Sequence, residues 1–99
     1  MEEKIEKILD KIGIPLNIKG YRYLIQAVII LHNNKAISQF DIYNIIAQQE
    51  NTTACRVERA IRYTYENKQK YFREYLKLNC RINNSILIRV ILREMEKAI

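Results

Sequence analysis

Apolar residues that return every three to four positions, with almost no glycine or proline to interrupt them, make the α-helix the regular structure this chain can build. Ile5, Ile8, Leu9 and Ile12 open the pattern, and Gly13 with Pro15 stops it, which predicts a first helix over Glu2 to Ile12. A second helix is expected from about Gly20 to Leu31, burying Leu24, Ile25, Val28 and Leu31 and ending near Asn33-Asn34. Its nearly continuous apolar character marks it as the central helix. Ser38 followed by Asp41 resembles a capping box and opens a third helix, carrying Ile42, Ile45 and Ile46 and stopping near Glu50. Asn51-Thr52-Thr53 is a polar break in which Thr52 or Thr53 caps a fourth helix, whose pattern runs to about Asn67. Lys68 to Lys77 is Tyr-rich and basic with weak helical periodicity. Asn83-Asn84-Ser85 then caps a last helix with Ile86, Val90 and Met95 facing inward and Arg89, Arg93 and Lys97 outward. Two glycines and one proline in 99 residues leave turn-rich β architectures and disordered linkers without raw material. The expected fold is all-α, a compact bundle of five to six helices in one domain, residues 1–99.

The charge is uneven. Residues 1–55 hold six Lys/Arg and six Asp/Glu, whereas residues 56–99 hold eleven and five, so the whole net charge of +6 falls in the second half, from Arg56 onward. A basic half on a small domain suits a polyanion more than an acidic small molecule. The charged start Met1-Glu2-Glu3-Lys4 is unlike a signal peptide. The longest apolar run, Leu24 to Leu31 interrupted by Gln26, is far below the roughly 18 residues of a membrane span. The expectation is a cytoplasmic protein that does not enter membranes.

Catalysis has no visible basis. No triad, Gly-rich phosphate loop or paired carboxylates can be assembled, so no enzyme activity and no cofactor are expected. Cys55 and Cys80 lack metal-ligand spacing and a local His, and His32 stands alone near a helix end, so no metal site is expected either. Tyr63, Tyr65, Tyr71 and Tyr75 cluster around the basic region, where a hydroxyl can reach a phosphate, although packing explains each tyrosine more simply.

Two helices joined by a break of about four residues, the second of them basic, have the layout of a helix-turn-helix over about 41–67. Ala47 supplies a small side chain where the helices cross. Asn51 takes the turn position at which glycine is common, and asparagine tolerates left-handed backbone nearly as well. On a wheel at about 100° per residue, Val57, Ala60, Ile61 and Thr64 cluster on one side of the fourth helix. Cys55, Glu58, Arg59 and Arg62 lie opposite, flanked by Arg56 and Tyr63. Arginine can pair with guanine O6 and N7, whereas lysine mainly supplies point charge to phosphate. A carboxylate amid such a face opposes general DNA affinity. Glu58 therefore reads as an acceptor for a cytosine amine or as an orienter of a neighbouring arginine; an ordinary Glu58–Arg62 ion pair on a solvated face is the plain alternative.

Residues 12–24 (IGIPLNIKGYRYL) and 51–62 (NTTACRVERAIR) resemble the C-terminal DNA-binding effector domain of the stage-zero sporulation response regulator family. The second stretch matches that family's recognition helix in all but one position. The resemblance implies a six-helix bundle that binds a short asymmetric box on double-stranded promoter DNA, often as tandem copies; a homodimer on DNA is the other expected arrangement. It also implies that Arg56, Glu58 and Arg59 face the bases while Cys55 and Arg62 lie close to the backbone. Thr53, Lys68 and Lys19 complete the expected backbone set, and the recognition helix is expected over about 53–67. Three departures accompany the likeness. Cys55 stands where the family has serine, and Glu50 replaces an apolar residue, which is expected to loosen the turn. The segment Lys68 to Arg81 is shorter than the family's counterpart, which helps to contact RNA polymerase. No receiver domain is expected before Met1.

The leading expectation is thus a sequence-specific DNA-binding transcription regulator. The alternative is an interaction protein that pairs with and modulates a full-length response regulator without reading DNA, and a third reading is anionic-membrane binding by the last helix.

Overall fold

The computed structural model describes residues 1–97 and contains six α-helices joined by short connections. The first, α1, covers Glu2–Ile12; Gly13 ends it in the left-handed region at φ 93 while its N–H bonds to Leu9 and Asp10 carbonyls. The central helix α2, Lys19–Asn33, is slightly longer at both ends than its apolar run and buries Tyr21, Tyr23, Leu24, Ile25, Ala27, Val28 and Leu31. It packs against α1, α3, α4 and α6, which is why its sequence is apolar on almost every side. Tyr21 joins α2 to α1 by donating to Asp10 at 3.1 Å.

Helix α3, Gln39–Gln49, starts where Ser38 Oγ accepts from the Asp41 N–H at 3.1 Å. It ends in a Schellman turn: Asn51 adopts φ 53, and the Thr52 N–H reaches back to the Ala47 carbonyl at 2.9 Å. Asparagine therefore does the work expected of it in this turn. Glu50 does not loosen the turn, because its carboxylate pairs with Arg22 Nε at 3.1 Å and accepts from Gln26 Nε2 at 3.2 Å, tying the end of α3 to α2.

Helix α4 covers Ala54–Tyr63 and is four residues shorter than the periodicity predicted. The buried Thr64 is still helical in its backbone angles, its hydroxyl donating to the Ile61 carbonyl at 2.6 Å, and the backbone leaves the helix at Tyr65, where φ is −129 and the side chain goes inside. A single 3-10 turn, Glu66–Lys68, leads into α5, Gln69–Leu76, in a segment whose helical pattern was weak. That helix has only two turns and buries one side chain, Phe72, which leaves little periodicity to detect. Its Gln69 side chain grips the Ile82 backbone from both sides, at 2.8 and 2.9 Å, and so fixes the strap between α5 and α6.

The last helix, α6, covers Asn84–Lys97. Asn83 is its cap, accepting from the Ile86 N–H at 2.8 Å. Val90 and Met95 face inward as expected. Ile86 is only half-buried, and Leu87, Ile88 and Ile91 carry the packing instead, because α1 and α2 flank α6 on two sides. Near its end Glu96 accepts from Lys35 Nζ at 2.6 Å and pairs with His32 Nδ1 at 3.1 Å. His32, alone near a helix end in the sequence, thus joins α2 to α6. No helix is long and apolar enough to cross a membrane among the described residues.

Gly20 is the tightest point of the fold. A Cβ there would lie 2.4 Å from both the Ala60 carbonyl oxygen and Thr64 Cγ2, so α2 and α4 meet backbone to backbone. Gly20→Ala should cost about 1–3 kcal/mol by overpacking, read as a lower urea midpoint with an unchanged slope. Glu96 supplies a pH test. Its carboxyl is held below the ordinary value of 4.5, first by the Lys35 hydrogen bond and then by that from His32. A carboxyl lowered on folding contributes stability above its unfolded value and loses it as pH falls through the folded one. Urea midpoints of the wild type should therefore converge on those of Glu96→Gln as the pH drops below 4.5.

Candidate nucleic-acid interface

The capping side chain of α4 is Thr53, whose Oγ1 accepts from the Arg56 N–H at 3.2 Å. That cap fixes where the helix begins, and the apolar positions fix how it is rotated. Val57 and Ile61 are wholly buried against α2 and α3, and Ala60 is half-buried beside Gly20. Side chains at the opposite angle must then point outward. Cys55, Arg56, Arg59, Arg62 and Tyr63 are all exposed, on the side the wheel assigned to them.

The three arginines differ in their surroundings. Arg56 and Arg59 form no ion pair among the described residues and carry their guanidinium groups into solvent. Arg62 approaches Glu58 at 3.6 Å across one helical turn, with its side chain 49% exposed. Glu58 is half-buried and turned toward the bundle: its Oε2 accepts from Asn84 Nδ2 at 3.2 Å, and its backbone carbonyl accepts from the same amide at 3.1 Å. The plain ion pair weighed in the sequence is thus present, and Glu58 is held at the edge of the basic face rather than at its centre.

Of the remaining expected contacts, Thr53 lies at the α4 N-terminus and is exposed. Lys68 is exposed in the 3-10 turn beyond α4, so the shorter helix leaves it off the helical face. Lys19 is exposed in the first turn of α2, adjoining Gly20 and hence the C-terminal half of α4. The tyrosines divide. Tyr63 flanks the arginines, and Tyr65 is buried. Tyr71 and Tyr75 stack on α5, with ring centroids 6.2 Å apart.

Sequence reasoning missed the polar cluster behind this face. Asn84, 6% exposed, accepts from the Tyr65 hydroxyl at 2.6 Å and donates to the Tyr43 hydroxyl at 2.9 Å, in addition to its two bonds to Glu58. One amide therefore connects α3, α4, the turn after α4 and the start of α6. The signal was the doubled asparagine before α6, read as a cap; Asn83 does the capping and frees Asn84 for the clamp. Burial, and next the nearby Glu66 carboxylate, push the Tyr65 hydroxyl up to about 12, so it stays protonated and remains a donor. Arg81 pairs with Glu66 at the rim of the cluster.

Among the described residues no group of three or more His, Cys, Asp or Glu side chains is placed to hold a metal ion. Both cysteines are free and exposed. What the site offers is a short, convex helix with two unpaired guanidinium groups and one oriented by a carboxylate, anchored from behind. Removing the anchor with Asn84→Ala should cost about 1–3 kcal/mol, because the Tyr65 hydroxyl and the Glu58 carboxylate each lose a partner; chemical denaturation measures it.

A family model described as Sporulation initiation factor Spo0A C terminal matches residues 5–95, a span that contains all six helices except the ends of the first and last. That family comprises DNA-binding effector domains of a sporulation regulator and is not a family of enzymes. On this match, with an all-helical fold that carries a helix-turn-helix at α3 and α4, the chain belongs to the Spo0A C-terminal family.

Proposed function

We propose that this protein is a sequence-specific transcription regulator in which residues 1–99 form one effector domain and α4 enters the major groove of promoter DNA. The observation that carries this reading is the joint outward projection of Arg56 and Arg59, two guanidinium groups one turn apart with no acidic partner among the described residues. A helix of ten residues is about 15 Å long, enough to lay these side chains along several base edges. Arg56 and Arg59 read bases, each suited to the paired acceptors of guanine. Glu58, engaged by Asn84 and facing Arg62, is assigned the second of the two roles weighed for it: it orients Arg62 rather than accepting from cytosine.

The backbone contacts fall to Thr53, Cys55 and the helix N–H groups at the start of α4, and to Arg62 in its last turn, with Lys19 and Lys68 flanking that end. The thiol of Cys55 is a weak donor where a hydroxyl would be a good one. Tandem or dimeric binding along a promoter, and contact of residues 68–81 with RNA polymerase, extend the same reading.

The test is a titration with a duplex selected from a random pool and a scrambled version of it. Arg59→Ala should lose about 1–3 kcal/mol on the selected duplex and little on the scrambled one, whereas Lys68→Ala should weaken both alike and flatten the salt dependence. Equal losses on both duplexes for Arg59→Ala would remove the direct-readout assignment. Cys55→Ser should tighten binding to both duplexes by a few-fold, as expected of a better donor at a phosphate.

A further inference from the structure

The charge asymmetry along the sequence is not the charge pattern of the folded surface. The lysines of α1, in the formally neutral first half, come together with cations from α5 and α6 around a groove of about 880 Å³ between these three helices. Lys4, Lys7 and Lys11 follow one another at intervals of three and four along one stripe of α1. Lys77 stands at the end of α5, and Arg93 and Lys97 at successive turns of α6. Among the described residues one carboxylate lines this groove, Glu94, and it is already paired with Lys97 at 3.5 Å. The floor has the opposite character. Ile8, Leu76 and Leu78 are half-buried there, beside the buried Ile12 and Val90.

We propose that this groove is a docking site for an acidic amphipathic helix of a partner protein. Six cations line the groove with one carboxylate between them, and like charges gathered around one groove repel each other, a cost relieved by an occupant bearing carboxylates. The apolar floor decides which anionic occupant. A phosphate backbone has no apolar side chains to place on Ile8, Leu76 and Leu78, and a duplex is too wide and convex to reach a groove floor. A bilayer surface is flat. A helix with leucine-like residues on one stripe and carboxylates beside it satisfies the floor and the rim together, the mode by which amphipathic helices occupy grooves. The groove is lined by the C-terminal half of α6, whereas α4 meets that helix at Asn84, its first residue. Occupation of the groove therefore leaves the arginines of α4 free, and the inference does not rest on the DNA reading.

Fluorescence anisotropy with a labelled synthetic helix tests it. The probe carries leucine at i, i+3, i+4 and i+7 positions and glutamate on its flanks; one control has serine for leucine and a second has lysine for glutamate. Saturable one-to-one binding of the probe alone is expected, weakened about tenfold or more in the triple variant Lys4→Glu, Lys7→Glu, Lys11→Glu, whose exposed positions leave the fold intact by circular dichroism. Arg59→Ala should bind the probe as the wild type does, which separates this surface from α4. Absence of saturable binding would overturn the proposal, as would equal binding of the serine control or indifference to the triple reversal. It would also fall if the same lysines bound phosphatidylglycerol vesicles or a duplex more tightly than the probe, or if sedimentation showed that a second copy of the chain fills the groove.

Discussion

Burial of Val57 and Ile61 against α2 and α3 sets the rotation of α4 about its own axis, and the exposure of the arginines follows from that rotation. The energies are unequal. Burying each of these side chains is worth about 1.5–3 kcal/mol, whereas an exposed pair such as Glu58–Arg62 is worth about 0–1 kcal/mol. A rotation that brought Arg59 into contact with the bundle would give up the larger quantity for the smaller. The same constraint acts along the axis, where the backbone contact of Gly20 with Ala60 leaves no room for α4 to slide over α2.

Packing alone does not hold a helix of ten residues at a chosen pitch, and the polar contacts behind α4 supply what is missing. Asn84 engages Glu58 and Tyr65 on either side of the last turn of α4, and Tyr43 on α3, so both helices of the helix-turn-helix are tied to the start of α6. On the opposite side Glu50 ties the end of α3 to α2. Buried amide and hydroxyl groups of this kind are costly when unpaired and directional when paired, which is why they fix geometry better than an equal area of apolar contact. A side chain presented to base edges needs that fixity, since a small displacement changes which base it can reach.

The parts of this architecture that were legible in the sequence are those governed by local chemistry. Gly13, Ser38, Asn51 and Thr53 each mark a helix end by a backbone or side-chain preference that acts within five residues, and each does so in the structure. The outward set on α4 was readable for the same reason, since a helical wheel needs only spacing. What depended on distant partners was not readable. The end of α4 at Tyr63 is set by where Tyr65 must go to meet Asn84, nineteen residues later. Glu50 looked disruptive until Arg22 and Gln26 were beside it. Helix α5 buries only Phe72 along its short length, so its sequence carries little pattern, and the cationic groove is assembled from three helices whose charges appear unrelated along the chain.

Two basic surfaces emerge, one convex and carried by arginine, the other concave, floored by apolar side chains and rimmed mainly by lysine. The difference in shape and in side-chain chemistry assigns them to different partners. The most direct measurement of the central claim is nuclear magnetic resonance of the arginine Nε–H groups during titration with a selected duplex. Arg56 and Arg59 should show large, saturating shifts and slowed solvent exchange, while Arg93 in the groove stays unchanged. Shifts that centre on Arg93 and the α1 lysines, with Arg56 and Arg59 silent, would contradict the account.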